Sequence, residues 1–207
     1  MKGVTVIDHP LAQARLLELR DAGTNTDSFR RALGQLGLLL LQEATRHLKV
    51  KTRRVRTPLA VTSMDTPARP VLLVPILRAG QGLVALADHV VPGATHGYLG
   101  MARDEDSLKP EVYLEKLPPR LGRYDIIVCD PMLATGGSAV AAGRLLRQKG
   151  GKYLRFVHAL AAPEGVRALR KAVPEAAIFT ASLDQGLNEN GFIVPGLGDA
   201  GDRCFGC

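Results

Sequence analysis

The chain has 207 residues, 46% of them apolar and 4% aromatic, with no Trp, three Cys and a formal charge of +7. That length suits one domain, residues 1–207, with an elaborated edge, and the apolar content fills a core of Leu, Val, Ala and Ile. No apolar run approaches the ~20 residues of a membrane helix, and residues 1–10 lack the apolar stretch of a secretory signal. Three cysteines are too few for a disulfide framework, so a reducing, cytoplasmic setting is expected. The positive surplus attracts anions by long-range steering. Charge alone does not choose among nucleic acid, anionic membrane, phosphorylated small molecules and plain solubility.

Residues 9–20 carry Leu11, Leu16, Leu17 and Leu19 at helical spacing, with Asp8 placed to cap them and Pro10 in the first turn. A second helix is expected over about 27–47, where Phe29, Leu33, Leu36, Leu40 and Leu41 form an apolar stripe and Asn25 or Thr26 is the cap. Residues 46–56 hold Arg46, Lys49, Lys51, Arg53, Arg54 and Arg56 with no acid, which predicts an exposed edge strand or arm. Residues 71–77 (VLLVPIL) read as a strand covered on both faces. They lead through Arg78-Ala79-Gly80-Gln81-Gly82 into a helix reaching about Val91. A strand over 95–101 follows, then a polar, Pro-containing flap over about 103–120. Residues 125–129 (DIIVC) form another buried strand, and a helix runs from about Gly137 to Lys149, ended by Gly150-Gly151. A strand over 153–161, a helix over 163–171 and a strand over 176–181 complete the alternation. The remaining 184–207 form a Gly-rich hood.

This alternation predicts an α/β fold: a central, mostly parallel sheet with helices on both faces. Ligands in such sheets sit beyond the carboxyl ends of the strands. Three loops should share that rim: 78–82, 130–138 and the one after Ala181.

The chemistry concentrates in Asp130-Pro131-Met132-Leu133-Ala134-Thr135-Gly136-Gly137-Ser138. A buried strand ends in a carboxylate, and a short glycine turn opens a helix. Glycines admit an anion close to the main chain, and the first N–H groups of a helix lack internal partners. Those donors, the helix dipole and two hydroxyls suit a phosphate monoester, while Asp130 can accept from sugar hydroxyls. A Walker loop needs a Lys after the glycines and a dinucleotide fingerprint needs Gly-x-Gly-x-x-Gly; neither is present here. A plain strand-to-helix turn accounts for the glycines but not for Asp130, Thr135 and Ser138 together.

The segment 130–138 resembles the phosphoribosyl pyrophosphate (PRPP) motif of the type I phosphoribosyltransferases. Residues 76–80 (ILRAG) resemble their pyrophosphate loop. Residues 191–203 (GFIVPGLGDAGDR) are similar to the base-binding segment of the uracil phosphoribosyltransferases. The similarity runs from His9-Pro10 to Phe205-Gly206. It implies transfer of a ribose 5-phosphate from PRPP to uracil, giving UMP and pyrophosphate. Arg78, with the N–H groups of Ala79 and Gly80, would bind the diphosphate. Arg103 would be a second arginine on PRPP, Asp130 would hold the ribose hydroxyls, and 134–138 the 5-phosphate. Main-chain groups of Ile193, Gly198 and Ala200 would read uracil. Asp199 would take Mg2+-PRPP through the metal's water shell. GTP as an effector and a homodimer or larger homo-oligomer are implied by the same resemblance, and no membrane or nucleic-acid partner is expected.

Ala102 and Phe192 stand where relatives commonly carry Tyr, so any hydrogen bond made by those hydroxyls is missing. Cys129 replaces an apolar or acidic residue, and Cys204 and Cys207 are too few to close a zinc site. His9, His47, His89, His96 and His158 are scattered, and none is an evident base for N1 of uracil. Two rival readings remain at this level. One is a PRPP-fold regulator of RNA, based on residues 46–56, although these lack interleaved aromatics. The other is transfer to a different base.

Overall fold

A computed structural model describes residues 3–103 and 110–207 of the chain. A short strand, β1 (Val4–Val6), leads into helix α1 (Pro10–Arg20). His9, not Asp8, caps α1, because its ring Nδ1 accepts the Leu11 N–H at 3.1 Å. The buried face of α1 is Ala12, Leu16 and Leu19; Leu11 and Leu17 point to solvent. Helix α2 (Thr26–Thr45) is capped by Asn25, whose side chain accepts from Ser28 N. Its expected stripe of Phe29, Leu33, Leu36, Leu40 and Leu41 is fully buried. Four of the basic residues, Lys51, Arg53, Arg54 and Arg56, lie in β2 (Val50–Arg56), which pairs with β3 (Val61–Pro67) as a hairpin separate from the main sheet. Every β2 residue is exposed. Of the two expected forms, edge strand or arm, the chain takes the arm; β3 carries no sequence signal because its polar residues show little apolar alternation.

Strand β4 (Val71–Leu77) is buried along nearly its whole length, as its composition requires. The helix expected up to Val91 is shorter. Helix α3 (Gly80–Val84) ends early, and a single 3-10 turn at Ala87–His89 follows. Leu86 leaves helical geometry, with φ −113° and ψ 16°, and breaks the expected helix between the two. The next strand is split into β5 (Thr95–His96) and β6 (Tyr98–Arg103), and β6 turns back antiparallel into β7 (Pro110–Lys116). The expected flap is therefore a hairpin in its described parts; residues 104–109 lie outside the described residues.

Strand β8 (Asp125–Cys129) leads through β9 (Met132–Leu133) to helix α4 (Gly137–Gln148). Strand β10 (Tyr153–Ala161), helix α5 (Pro163–Ala172) and strand β11 (Ala177–Leu183) follow, close to the expected bounds. A small hairpin, β12 (Gly186–Leu187) with β13 (Ile193–Val194), precedes helix α6 (Ala200–Phe205). Helix α6 was hidden by its length, for its Ala-Gly-Asp start reads equally well as a turn.

Among the described residues the main sheet has nine strands, ordered β1-β11-β10-β8-β4-β6-β7, with β5 beside β4 and β9 beside β10. All its pairings are parallel except β6 with β7. Alternate side chains enter two cores. Leu73, Ile127, Cys129 and Val157 pack with α1, α2 and α3; Leu72, Val74, Ile126, Val128 and Phe156 pack with α4 and α5. Each fully buried Leu or Ile contributes about 1.5–3 kcal/mol. This two-sided cover explains why β4 and β8 read as continuous apolar runs. At the amino end of β8, buried Asp125 accepts from Arg69 (3.1 Å) and Arg155 (2.9 Å). The carboxyl end carries a different carboxylate, Asp130.

Candidate active site

Strand β8 delivers Asp130 to the carboxyl rim of the sheet. The main chain there is fixed by β10. The Asp130 N–H donates to Val157 O at 3.1 Å, and the buried His158 ring donates from Nδ1 to Asp130 O at 2.7 Å. Burial pushes the Asp130 carboxyl up to about 7, against the opposing hydrogen bond from the Met132 N–H. Burial likewise pushes His158 down to about 4, so its ring is neutral at neutral pH. His158 Nε2 has no hydrogen-bond partner among the described residues.

From Asp130 the chain pairs briefly with β10 through Met132 and Leu133, then turns into α4. Gly136 caps α4 with φ +86°, and the Gly137 N–H points at Thr135 Oγ1 (3.4 Å). Residues Asp130 and 132–139 line a small cavity of about 110 Å³, where the first turn of α4 directs unpaired N–H groups. Helix α5 supports this turn from beneath. A Cβ on Gly165 would come within 2.5 Å of Ala134 O and 2.6 Å of Leu133 O, so only glycine permits that approach.

A larger cavity, about 370 Å³, adjoins the turn. Met132, Ala134, Thr135 and Ser138 line one wall; Asn190, Gly191, Phe192, Ile193, Gly198, Asp199 and Ala200 line the other. Eight of the residues singled out in the sequence therefore share one cavity: Met132, Ala134, Thr135, Ser138, Ile193, Gly198, Asp199 and Ala200. Asn190 was not singled out. A signal for it exists, since Asn188 Oδ1 accepts from the N–H groups of Asn190 and Phe192, an Asx turn written as Asn-Glu-Asn-Gly. Asp199 Oδ1 caps α6 by accepting the Asp202 N–H at 2.9 Å.

The loop after β4 reaches the same rim. Gly80 lies so close to the end of β8 that a Cβ would fall on Cys129 O. Arg78 is exposed and is not part of the cavity wall among the described residues. Its Nη1 contacts Cys207 Sγ at 3.1 Å, and its guanidinium lies 5.7 Å from the Phe205 ring. Arg103 ends β6; its side chain lies outside the described residues.

The sheet order and the strand–turn–helix cradle are those of the phosphoribosyltransferase fold. The adenine phosphoribosyl transferase of Trypanosoma brucei shares the fold, with a TM-score of 0.56 at 12% identity over 92% of this chain and 88% of that one. Far nearer is the structure of the AQ2163 protein from Aquifex aeolicus: TM-score 0.91, 35% identity, 98% of this chain and 97% of that one. The uracil phosphoribosyltransferase family model matches residues 6–207. Proteins of that name from Thermoanaerobacter sp. (strain X514) and Acidovorax ebreus (strain TPSY) are 47% and 48% identical to it. These matches cover 99% and 100% of this chain, and 98% and 99% of the relatives. The chain belongs to the uracil phosphoribosyltransferase family, whose members are pentosyltransferases.

Proposed function

We propose that the chain converts uracil and PRPP to UMP and pyrophosphate in the cytoplasm, as one catalytic domain with a flap over 103–120 and a base-binding hood over 184–207. The observation that carries this reading is the single cavity shared by the turn into α4 and the segment 190–200. The ribose 5-phosphate would lie in the turn of 134–138, held by helix N–H groups, Thr135 and Ser138. Asp130, with Pro131 to Leu133 behind it, would accept from the ribose hydroxyls. Uracil presents acceptor, donor and acceptor along O2, N3 and O4. Main-chain groups at Ile193, Gly198 and Ala200 supply the complement, and cytosine would leave buried groups unpaired.

Breaking the C1–oxygen bond sends the electron pair to the departing diphosphate, and N1 of uracil, losing its proton, bonds to C1 from the opposite face. Arg78, Arg103 and the N–H groups of Ala79 and Gly80 would stabilise the charge on the diphosphate. Arg78 would have to exchange its contact with Cys207 for the substrate, a local side-chain movement. The donor set fits Mg2+ carried in with PRPP: Asp199 is one exposed carboxylate on the cavity wall, and Mg2+ commonly takes one or two carboxylates besides waters and phosphates. Bound there, the metal would neutralise the diphosphate. The exposed basic arm supports two further parts of the reading, a GTP effector and a homodimer or larger homo-oligomer.

Purified protein given Mg2+, PRPP and labelled uracil should release UMP and pyrophosphate in equal amounts. UMP no higher than in a protein-free control would defeat the proposal. Sedimentation, and rates with and without GTP, test the assembly and effector parts.

A further inference from the structure

A base reader made of main chain needs something to hold that main chain still. Gly196, Leu197 and Gly198 lie outside the strands and helices, yet Gly196 and Leu197 are buried. Two arginines that are not part of the cavity wall tie down Gly196 and Leu197. Arg20, the last residue of α1, donates to both oxygens of Asp184 at 2.8 and 2.6 Å. The same guanidinium donates to Gly196 O at 2.8 Å and to Ser182 Oγ at 3.1 Å. Asp184, only 7% exposed, accepts the Gly196 N–H at 3.0 Å. One ion pair thus takes both polar main-chain groups of Gly196.

One residue further, Leu197 O accepts from Arg203 at 3.0 Å. That guanidinium also donates to the carbonyls of Leu19 and Asp21 and lies 4.5 Å over the Phe29 ring. Both arginines therefore refer the segment to one place, the carboxyl end of α1. None of Arg20, Asp184 and Arg203 lines the cavity, whereas Gly198, Asp199 and Ala200, next along the chain, do.

We infer that Arg20, Asp184 and Arg203 are positioning residues that set uracil affinity and base choice by clasping the reading segment. The inference rests on the uracil reading proposed above. Its physical basis is that a backbone reader has no rotamers with which to adjust. Its hydrogen bonds are good only if the segment is already in place, and ordering a Gly-rich segment at the moment of binding would subtract from affinity. PRPP touches the clasped segment only at Asp199, through the metal's water shell, and is otherwise held by the turn into α4, so it depends on the clasp far less than uracil does.

The test compares wild type with Arg20→Lys, Arg203→Lys and Asp184→Asn. Lysine keeps the charge but cannot make the forked contact with Asp184 and reach Gly196 O as well. The expected result is a rise of about tenfold or more in the uracil KM of each variant, with the PRPP KM within about twofold of wild type. Discrimination against cytosine should fall. Backbone amide exchange should accelerate over 193–200 and stay unchanged over 130–138. If the two KM values rise together, or neither moves, the clasp is structural only and the inference is overturned. Asp184→Asn, which keeps the side chain's shape but turns one acceptor oxygen into an N–H donor facing the clasp's own donors, serves where a lysine variant fails to fold. A wild-type protein inert towards uracil overturns the functional reading and this inference with it. An active wild type whose variants keep the wild-type uracil KM and base discrimination overturns the inference alone.

Discussion

At the scale of single residues, Asp130 is held against its own preference. Its carboxyl is raised from 3.8 to about 7 by burial, so folding favours the protonated acid. Stability from this group is therefore complete below about pH 4 and is lost as the pH rises through about 7. Asp130→Asn removes the ionisable group. The variant should melt several degrees above the parent at pH 8, with the gap closing towards pH 4, while losing about 100-fold or more in kcat/KM. Thermal melts at several pH values check the first part; an equal gap at pH 5 and pH 8 would contradict it. The Asp184 carboxyl runs the other way. Burial alone would raise it, but hydrogen bonds from Arg20, Ser182 and Gly196 outweigh that and leave it lowered. Its stabilisation is present above the ordinary carboxylate range and is lost as the pH falls through the depressed value.

At the scale of elements, the cradle depends on how closely α5 can come. Helix α5 starts at Pro163, and Gly165 in its first turn meets the carbonyls of Leu133 and Ala134. Gly165→Ala must push α5 or the turn outward by several tenths of an ångström. The expected outcome is a PRPP KM raised about tenfold or more and a fold destabilised by about 1–3 kcal/mol, as overpacking predicts. Wild-type PRPP kinetics in a folded variant would show that the turn tolerates displacement. Nothing in the sequence marks Gly165 for this duty, because its partners are carbonyls some thirty residues earlier, brought near by the β9–β10 pairing.

At the scale of the whole molecule, the charge of +7 and the anionic substrate make a joint prediction. Exposed charges are screened as the Debye length shortens from ~14 Å near 50 mM salt to ~4 Å near 500 mM. The KM for PRPP should rise several-fold over that range, and the KM for neutral uracil should change little. Steady-state kinetics at fixed Mg2+ check this; parallel rises would point to a general loss of structure. The exposed β2–β3 arm carries four of the six basic residues of 46–56, Lys51, Arg53, Arg54 and Arg56, apart from both cores.

The primary structure by itself determined the alternation of strands and helices, the two-sided sheet and the turn at 130–138. Those signals are local: apolar runs, caps, and glycines adjacent in the chain to the groups they serve. Through the resemblance of its motifs it also marked eight of the residues that share the cavity, from Met132 to Ala200. Tertiary structure decided what depends on distant approach. It placed β2 in an arm, shortened the helix after Gly80, and turned Arg78 towards Cys207. It also set Arg20 and Arg203 against the carbonyls of Gly196 and Leu197. In the chain Arg20 looks like an ordinary helix charge and Arg203 like a loop charge of the hood. Their function arises only because folding brings the end of α1 against a Gly-rich segment about 175 residues away, whose buried main-chain groups need partners.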